Sequence, residues 1–498
     1  MPSIHFNRFD LGIDLRKGRS VSDANRLLEL RNAFVTTGMA AQKRPGLLKV
    51  GDFAPGTAGL LAAFGRLNTF SSQRTASGVP GVDCWLVPHP AWPATPQILD
   101  VPFADVFNGF IYCAARFTGG AVQHHYLDQP FVAPPATPHQ TIVADANCPH
   151  TAACLKIGSK MYAVGSGMAD VVRFSGTGTP RAWSTANDAG FLPTGINSIG
   201  AREAMALGMY RNNLAVLMRD GVQVWAVGAN PAAMRLLDVV ENIGTIYPNT
   251  VVNVGGDLYF LSDYGFRSMT TLQLTSSLAD VDIGSPVDSL VREALAAPGA
   301  DAVNPKAVYF YGTGQYVCAI RNHLFVYSIS RTARIAAWSH YVLPAAIADF
   351  AELGRDLFVR CRRVEGGTVT ADVLYRLDEA ASADDDLTIV DPYQYRPVAN
   401  PYEVLIQLPY LDLRGPGVLK QLYGADVVVD GTCLLSVGFD VRDPLAFTPE
   451  VRLDGDTRPG GMIPVECIGT EFSVRLRNLD NRPFRLDAIT LHFNNLGH

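Results

Sequence analysis

From about residue 150 onward, one arrangement of apolar and polar positions keeps returning: an apolar run, a tight polar turn, and a second apolar run. CLKIGSKMYAVG turns at Ser159-Lys160, LGMYRNNLAVLM at Asn212-Asn213, and LMRDGVQVW at Asp220-Gly221. VVNVGGDLYFLSDYGFRSM turns at Gly255-Gly256-Asp257, VYFYGTGQYVCAI near Thr313-Gly314, and FAELGRDLFVRCRR at Gly354-Arg355. Asn, Asp and Gly tolerate the positive φ that tight hairpins demand. The flanks are rich in Val, Leu, Phe and Tyr, often alternating, as half-buried strands require. The first turns of successive units are spaced by roughly 40–57 residues, against about 40–50 for a four-stranded propeller blade. The pattern predicts a mainly β chain whose body is β-propeller-like: antiparallel four-stranded meanders that close radially and expose few edges. A series of β-sandwiches is the competing arrangement.

Two helices are expected. Ser285-Pro286 followed by VDSLVREALAA reads as an N-cap, a Pro in the first turn, and an amphipathic helix with Val287, Leu290, Val291 and Leu295 inward. Ser22–Arg31 reads as a second, short one. The segment from Ala381, ASADDDLTIVDPYQYRPVANPYE, is acidic and then Pro-rich and reads as a linker. Strand patterns resume after it, with an Asp430-Gly431 hairpin, and predict a C-terminal β-sandwich. The expected organisation is an N-terminal extended arm over 1–45, a propeller-like domain over 46–380, a linker over 381–402, and the sandwich over 403–498. Residues 51–150, with Pro-rich connections, supply either the opening blades or an insertion.

The length of 498 residues fits about three domains or one large β architecture with an appendage. At 48% hydrophobic and 18% charged, the chain has material for a sizeable core. A net charge of −6 argues against an electrostatic trap for nucleic acid. The eight cysteines are scattered with no Cys-x-x-Cys, so buried free thiols are expected. The opening MPSIHFNRFDLGIDLRKG has no apolar h-region, and no run of 18 apolar residues occurs, so neither a secretory signal nor membrane insertion is expected.

Signatures of catalysis are missing: there is no Gly-x-Ser-x-Gly, Walker loop or His-Glu-x-x-His. SGTGTP at 175–180 runs into Arg181-Ala182-Trp183 rather than a helix, so it reads as a loop between strands. Glycoside hydrolysis needs two carboxylates about 5–10 Å apart. Asp257, Asp263, Glu293 and Asp349 are candidates that nothing in the sequence pairs. His124 and His125 are adjacent on a strand and point to opposite faces, which argues against joint ligation of a metal with His139 and His150. Asp384-Asp385-Asp386 reads as a solvated linker, and Arg360-Cys361-Arg362-Arg363 as a solvated basic stretch. No enzyme activity, metal or cofactor is expected.

FNRFDLGIDLRKGRSVSDANRLLELRNAFVTTGMAAQKRPGLLKVG resembles the opening of phage tail proteins of the nozzle or portal-stabilisation type, found in short-tailed and related phages. The matches are Asn7, Phe9, Gly12, Asn32, Gly38, Arg44, Pro45 and Gly46. VVRFSGTGTPRAW, MYRNNLAVLMRDGVQVWAVGANP and ENIGTIYPNTVVNVGGDLYFLSDYGFRSM resemble further lines of that family, in order, over roughly residues 5–300.

The resemblance implies a structural virion protein, assembled in the host cytoplasm. It implies a ring, typically sixfold, that continues the DNA channel below the portal and helps retain and eject the genome. The implied partners are other copies of the chain, an adaptor or portal above, tail proteins or fibres below, and passing double-stranded DNA held without sequence-specific contacts. Arg44, Pro45 and Gly46 are expected at a subunit interface, with the arm docking on a neighbour. Gly176, Gly178 and Pro180 are expected in a channel loop, as is the tip at 228–231. The alternatives are a carbohydrate-binding or glycosidase-like propeller in receptor attachment, and a cellular scaffold propeller.

Overall fold

The computed structural model describes residues 2–20, 23–73, 75–89, 96–127, 142–167, 169–197, 203–270, 282–297, 304–330, 332–365, 368–390, 397–457 and 461–497. Seven blades follow one another along the chain. Blade 1 is Thr57–Ala63, Arg66–Ser71 and Val82–Leu86; blade 2 is Ile98–Phe107, Phe110–Phe117 and Val122–Leu127. Blade 3 runs from Cys154–Ile157 through Lys160–Val164 and Val172–Phe174 to Gly190–Leu192. Blade 4 is Ala204–Tyr210, Asn213–Met218, Gly221–Ala226 and Arg235–Glu241. Blade 5 is Val252–Val254, Asp257–Ser262 and Gly265–Ser268; blade 6 is Lys306–Phe310, Gln315–Ile320, His323–Ser330 and Ile335–Val342.

Blade 7 takes Ala346–Leu353, Asp356–Glu365 and Thr368–Asp378 in sequence, and its outer strand is Gly46–Asp52 from the other end of the propeller segment. The first strand of each blade packs against the first strand of the next, and blade 7 packs back on blade 1. That closed circuit makes a β-propeller, and residues 57–127 are its first two blades rather than an insertion.

Hairpin turns carry the expected chemistry, with shifts of one residue. Arg211 and Asn212 hold positive φ in blade 4, and Gly255 and Gly256 do so in blade 5. The helix forms at Asp288–Ala296, with Val287 rather than Ser285 at its cap. The Ser285 hydroxyl instead donates to the Asp282 carbonyl, which holds the turn before the helix. Residues 23–31 do not form a helix. Leu27 and Leu30 are buried, and Glu29–Arg31 is a strand, because pairing with Val404–Gln407 uses its backbone better than an isolated turn can.

The arm expected over 1–45 folds back into its own chain. Ser3–Phe6, Ala33–Val35 and Ala41–Lys43 join one sandwich sheet with Arg485–Gly497, Leu419–Asp430 and Ile463–Gly469. Glu29–Arg31 joins the other and also pairs with Ile335–Val342, so blade 6 and the second sandwich sheet form one nine-stranded sheet. Phe9, Ile13, Leu27 and Leu30 share a core with Phe266 and Trp338 of the propeller and Leu435 and Ile489 of the sandwich. The proposed boundaries at 45 and 403 therefore run through one continuous core. The linker expected over 381–402 is also structured in part, with Asp384–Val390 pairing with Pro397–Asn400; residues 391–396 lie outside the described residues.

Blade edges are covered in different ways. Blade 6 is covered by Glu29–Arg31. Blade 5 is covered by the turn at Gly284, whose N–H donates to the Phe266 carbonyl. On blade 7, the Leu47 and Lys49 N–H groups donate to the Asp384 and Asp385 carboxylates. Blade 4's outer strand, Arg235–Glu241, stands largely in solvent.

Candidate functional site

The chain crosses from sandwich to propeller at Arg44, between the strands Ala41–Lys43 and Gly46–Asp52. Arg44 is 2% exposed. Its guanidinium grips the Asp384 carboxylate with two bonds, of 2.8 and 2.5 Å, and its Nε donates to Asn32 Oδ1 at 3.1 Å. It lies over the Tyr402 ring, 3.7 Å from the centroid, while the Tyr402 hydroxyl donates to the Arg44 carbonyl. Burial alone would favour loss of the Arg44 charge, but Asp384 outweighs it and holds the guanidinium even more firmly protonated.

Asn32 sits at φ 53°, a conformation Asn tolerates, and joins three elements. Its amide donates to the Glu403 carbonyl and its oxygen accepts from Val342 N–H, both at 2.8 Å. Lys43 is also buried, donates to Asn478 and the Asp480 carbonyl, and is pushed down to about 8 by desolvation.

Arg44, expected at a subunit interface, is buried and bonded within its own chain. A Cβ on Gly46 would lie 2.2 Å from the Ala383 carbonyl oxygen, so the close approach of the two segments requires glycine there. Pro45, half-buried, gives its carbonyl to Arg44 Nη1. Asp384 and Asp385 are buried acceptors rather than solvated linker residues. A cleft of about 360 Å³ opens beside this network, lined by Arg31, Arg363, Asp385 and Glu403 among others.

Gly176, Gly178 and Pro180 lie between the last two strands of blade 3, in a loop stitched to its neighbours. Gly178 N–H donates to the Ser159 carbonyl at 2.7 Å, and its own carbonyl accepts from Asn108 of blade 2. The Thr177 hydroxyl reaches the Ala229 carbonyl, which brings the 175–180 and 228–231 tips together. A Cβ on Gly176 would lie 2.4 Å from the Asn187 carbonyl oxygen. The Pro180 carbonyl accepts from the buried Trp183 indole.

None of these three residues lines the axial cavity, which measures about 330 Å³ and is walled by Leu60, Phe70, Phe103, Leu207 and Phe350. Lys306 and Asp349, in its lining, form an ion pair at 3.1 Å. That volume suits a small molecule, not a duplex whose major groove alone is about 12 Å wide.

The other candidates disperse. Asp257 accepts from the Ser268 hydroxyl, Asp263 pairs with Arg219, and Asp349 pairs with Lys306. His124 and His125 do point to opposite faces, one bonded to Tyr112 and the Thr151 carbonyl, the other to the Pro88 carbonyl. Burial pushes them down to about 3 and about 4. His139 lies outside the described residues. Among the described residues, no group of three or more His, Cys, Asp or Glu is placed to hold a metal.

Arg360, expected in solvent, is fully buried. It pairs with Asp372 through bonds of 2.7 and 2.6 Å, donates to the Gly59 and Thr57 carbonyls, and lies over Phe53. The available signal was strand alternation, which sets Arg360 and Arg362 on one face, both reaching Asp372.

No protein-family model and no curated sequence matches the chain. Several solved structures are similar to it at low identity. The WD40 β-propeller domain of Doa1 is 8% identical, with a TM-score of 0.31, covering 68% of this chain and 97% of that one. Hsv2p of Kluyveromyces lactis is 10% identical at TM-score 0.26, over 50% of this chain and 72% of that one. An exo-β-1,3-galactanase of Phanerochaete chrysosporium, solved with galactose, is 10% identical at TM-score 0.23, over 78% and 95%. Such distant likeness says nothing of activity.

Proposed function

We propose that the protein is a structural component of a phage tail whose copies form a ring, continuing the DNA channel below the portal and helping to retain and eject the genome. One observation carries this reading beyond the resemblance itself: five of the eight N-terminal residues that bear it, Phe9, Gly12, Asn32, Arg44 and Gly46, help lock the propeller to the sandwich. Phe9 is fully buried, Gly12 approaches Trp338 so closely that a Cβ would lie 2.5 Å from its carbonyl oxygen, and Asn32, Arg44 and Gly46 form the junction. A block stiffened this way suits a load-bearing assembly. In this reading the DNA passes between copies, and the chain's net charge of −6 favours passage over adhesion. Negative-stain microscopy of the purified chain and immunogold labelling of particles test it. Rings and label on the tail axis are expected; label confined to the tail periphery overturns it in favour of receptor attachment.

The axial cavity, with aromatic walls and a Lys306–Asp349 pair, is the feature that favours the carbohydrate reading. Line broadening of a monosaccharide by the chain, abolished in Lys306→Met, is the result expected from that reading.

A further inference from the structure

Blade 4's outer strand, Arg235–Glu241, is seven residues long, largely exposed and, among the described residues, paired only on its inner side. Along it run Arg, Leu, Leu, Asp, Val, Val and Glu. Read against itself in the opposite direction, with Asp238 at the centre, the strand is self-complementary. Arg235 stands opposite Glu241, Leu236 opposite Val240, and Leu237 opposite Val239. Arg235 and Glu241 are both exposed, and neither has an ion-pair partner among the described residues. Leu237, at 46% exposed, is a large apolar side chain presented to solvent on a bare edge.

We propose that this edge binds a second copy of the chain, strand to antiparallel strand, about a two-fold axis through Asp238. Opposite charges directly across an antiparallel pair stabilise it, and the two-fold repeats the Arg235–Glu241 pair at both ends. Two features keep the contact weak. A bulge at Leu237 interrupts the regular ladder, and the Asp238 carboxylate already accepts from Val239 N–H. The two Asp238 carboxylates also meet at the centre and repel. The expected association is therefore a concentration-dependent dimer in the micromolar range, about 1–100 µM. A two-fold contact differs from the head-to-tail contacts of a cyclic ring, so the proposal stands apart from the ring reading and concerns free subunits.

Sedimentation velocity of the full chain across that range tests it. The parent is expected to show a monomer–dimer equilibrium. Arg235→Glu is expected to weaken it about tenfold, the double exchange Arg235→Glu/Glu241→Arg to restore it, and Asp238→Asn to tighten it. All three positions are exposed, so folding is not at stake. A parent that stays monomeric, or a double exchange that fails to restore what the single change removed, overturns the proposal. Rings that assemble unchanged from Arg235→Glu while no dimer is seen in the parent reject this contact and leave the ring reading intact.

Discussion

Arg44 and Arg360 occupy similar physical situations: each is a guanidinium removed from water, held by a carboxylate in two bonds and stacked on an aromatic ring. Removing one partner of such a pair strands a charge in a low-dielectric site, whereas replacing both by apolar groups does not. Asp384→Asn is therefore expected to lower unfolding free energy by about 3–5 kcal/mol, and Arg44→Met/Asp384→Leu by clearly less; urea titration measures both. The sequence showed an Arg-Pro-Gly and an Asp triplet 340 residues apart, and nothing local pairs them. Buried histidines give a second residue-scale expectation. His340 stacks on His323 and Phe325, and burial pushes it down to about 3. An unfolded His takes a proton near pH 6.5 while the folded one stays neutral, so its contribution is lost as pH falls from 6.5. His340→Gln should flatten the acid-side slope of stability between pH 6 and 4 by about 1.4 kcal/mol per pH unit relative to the parent, as read from denaturation at several pH values.

Among elements, the strands with the plainest alternation were the most legible. Lys306–Phe310 and Gln315–Ile320 form the hairpin expected about Thr313-Gly314. The N-terminal 45 residues were not legible, since their strands are three or four residues long and their apolar positions follow no single period. Their burial depends on partners more than 300 residues away, which local pattern cannot encode. Two experiments separate an arm from a built-in element. Deleting residues 2–45 should leave an insoluble or protease-sensitive chain, not an intact body lacking a tail. Gly46→Ala should destabilise by about 1–3 kcal/mol through overpacking against Ala383, as shown by a lowered thermal midpoint.

At the scale of the whole molecule, propeller and sandwich share one core and one nine-stranded sheet. Unfolding is expected to be a single transition, although 498 residues would ordinarily permit several. The tryptophans among the described residues, Trp85, Trp183, Trp225 and Trp338, all lie in the propeller, so their fluorescence reports it. Its urea midpoint should coincide with that of far-UV dichroism, which reports both parts; separated midpoints contradict a shared core. The eight cysteines are free, as expected from their scatter, and all but Cys467 are buried. Burial pushes the thiols of Cys84, Cys148, Cys433 and Cys467 up to about 12. The native protein should react slowly with a thiol reagent and release close to eight equivalents once denatured.

Closing blade 7 with a strand from residues 46–52 also sets a timetable for synthesis. On the ribosome that strand emerges early and has no partner until Thr368–Asp378 follows it out. At about 5–20 residues per second, the wait is on the order of tens of seconds. A nascent chain that stalls in this interval carries open blades and an unclosed circle, and it is a natural client for chaperones. Translation speed and helper capacity in the cell then govern yield as much as the final stability does.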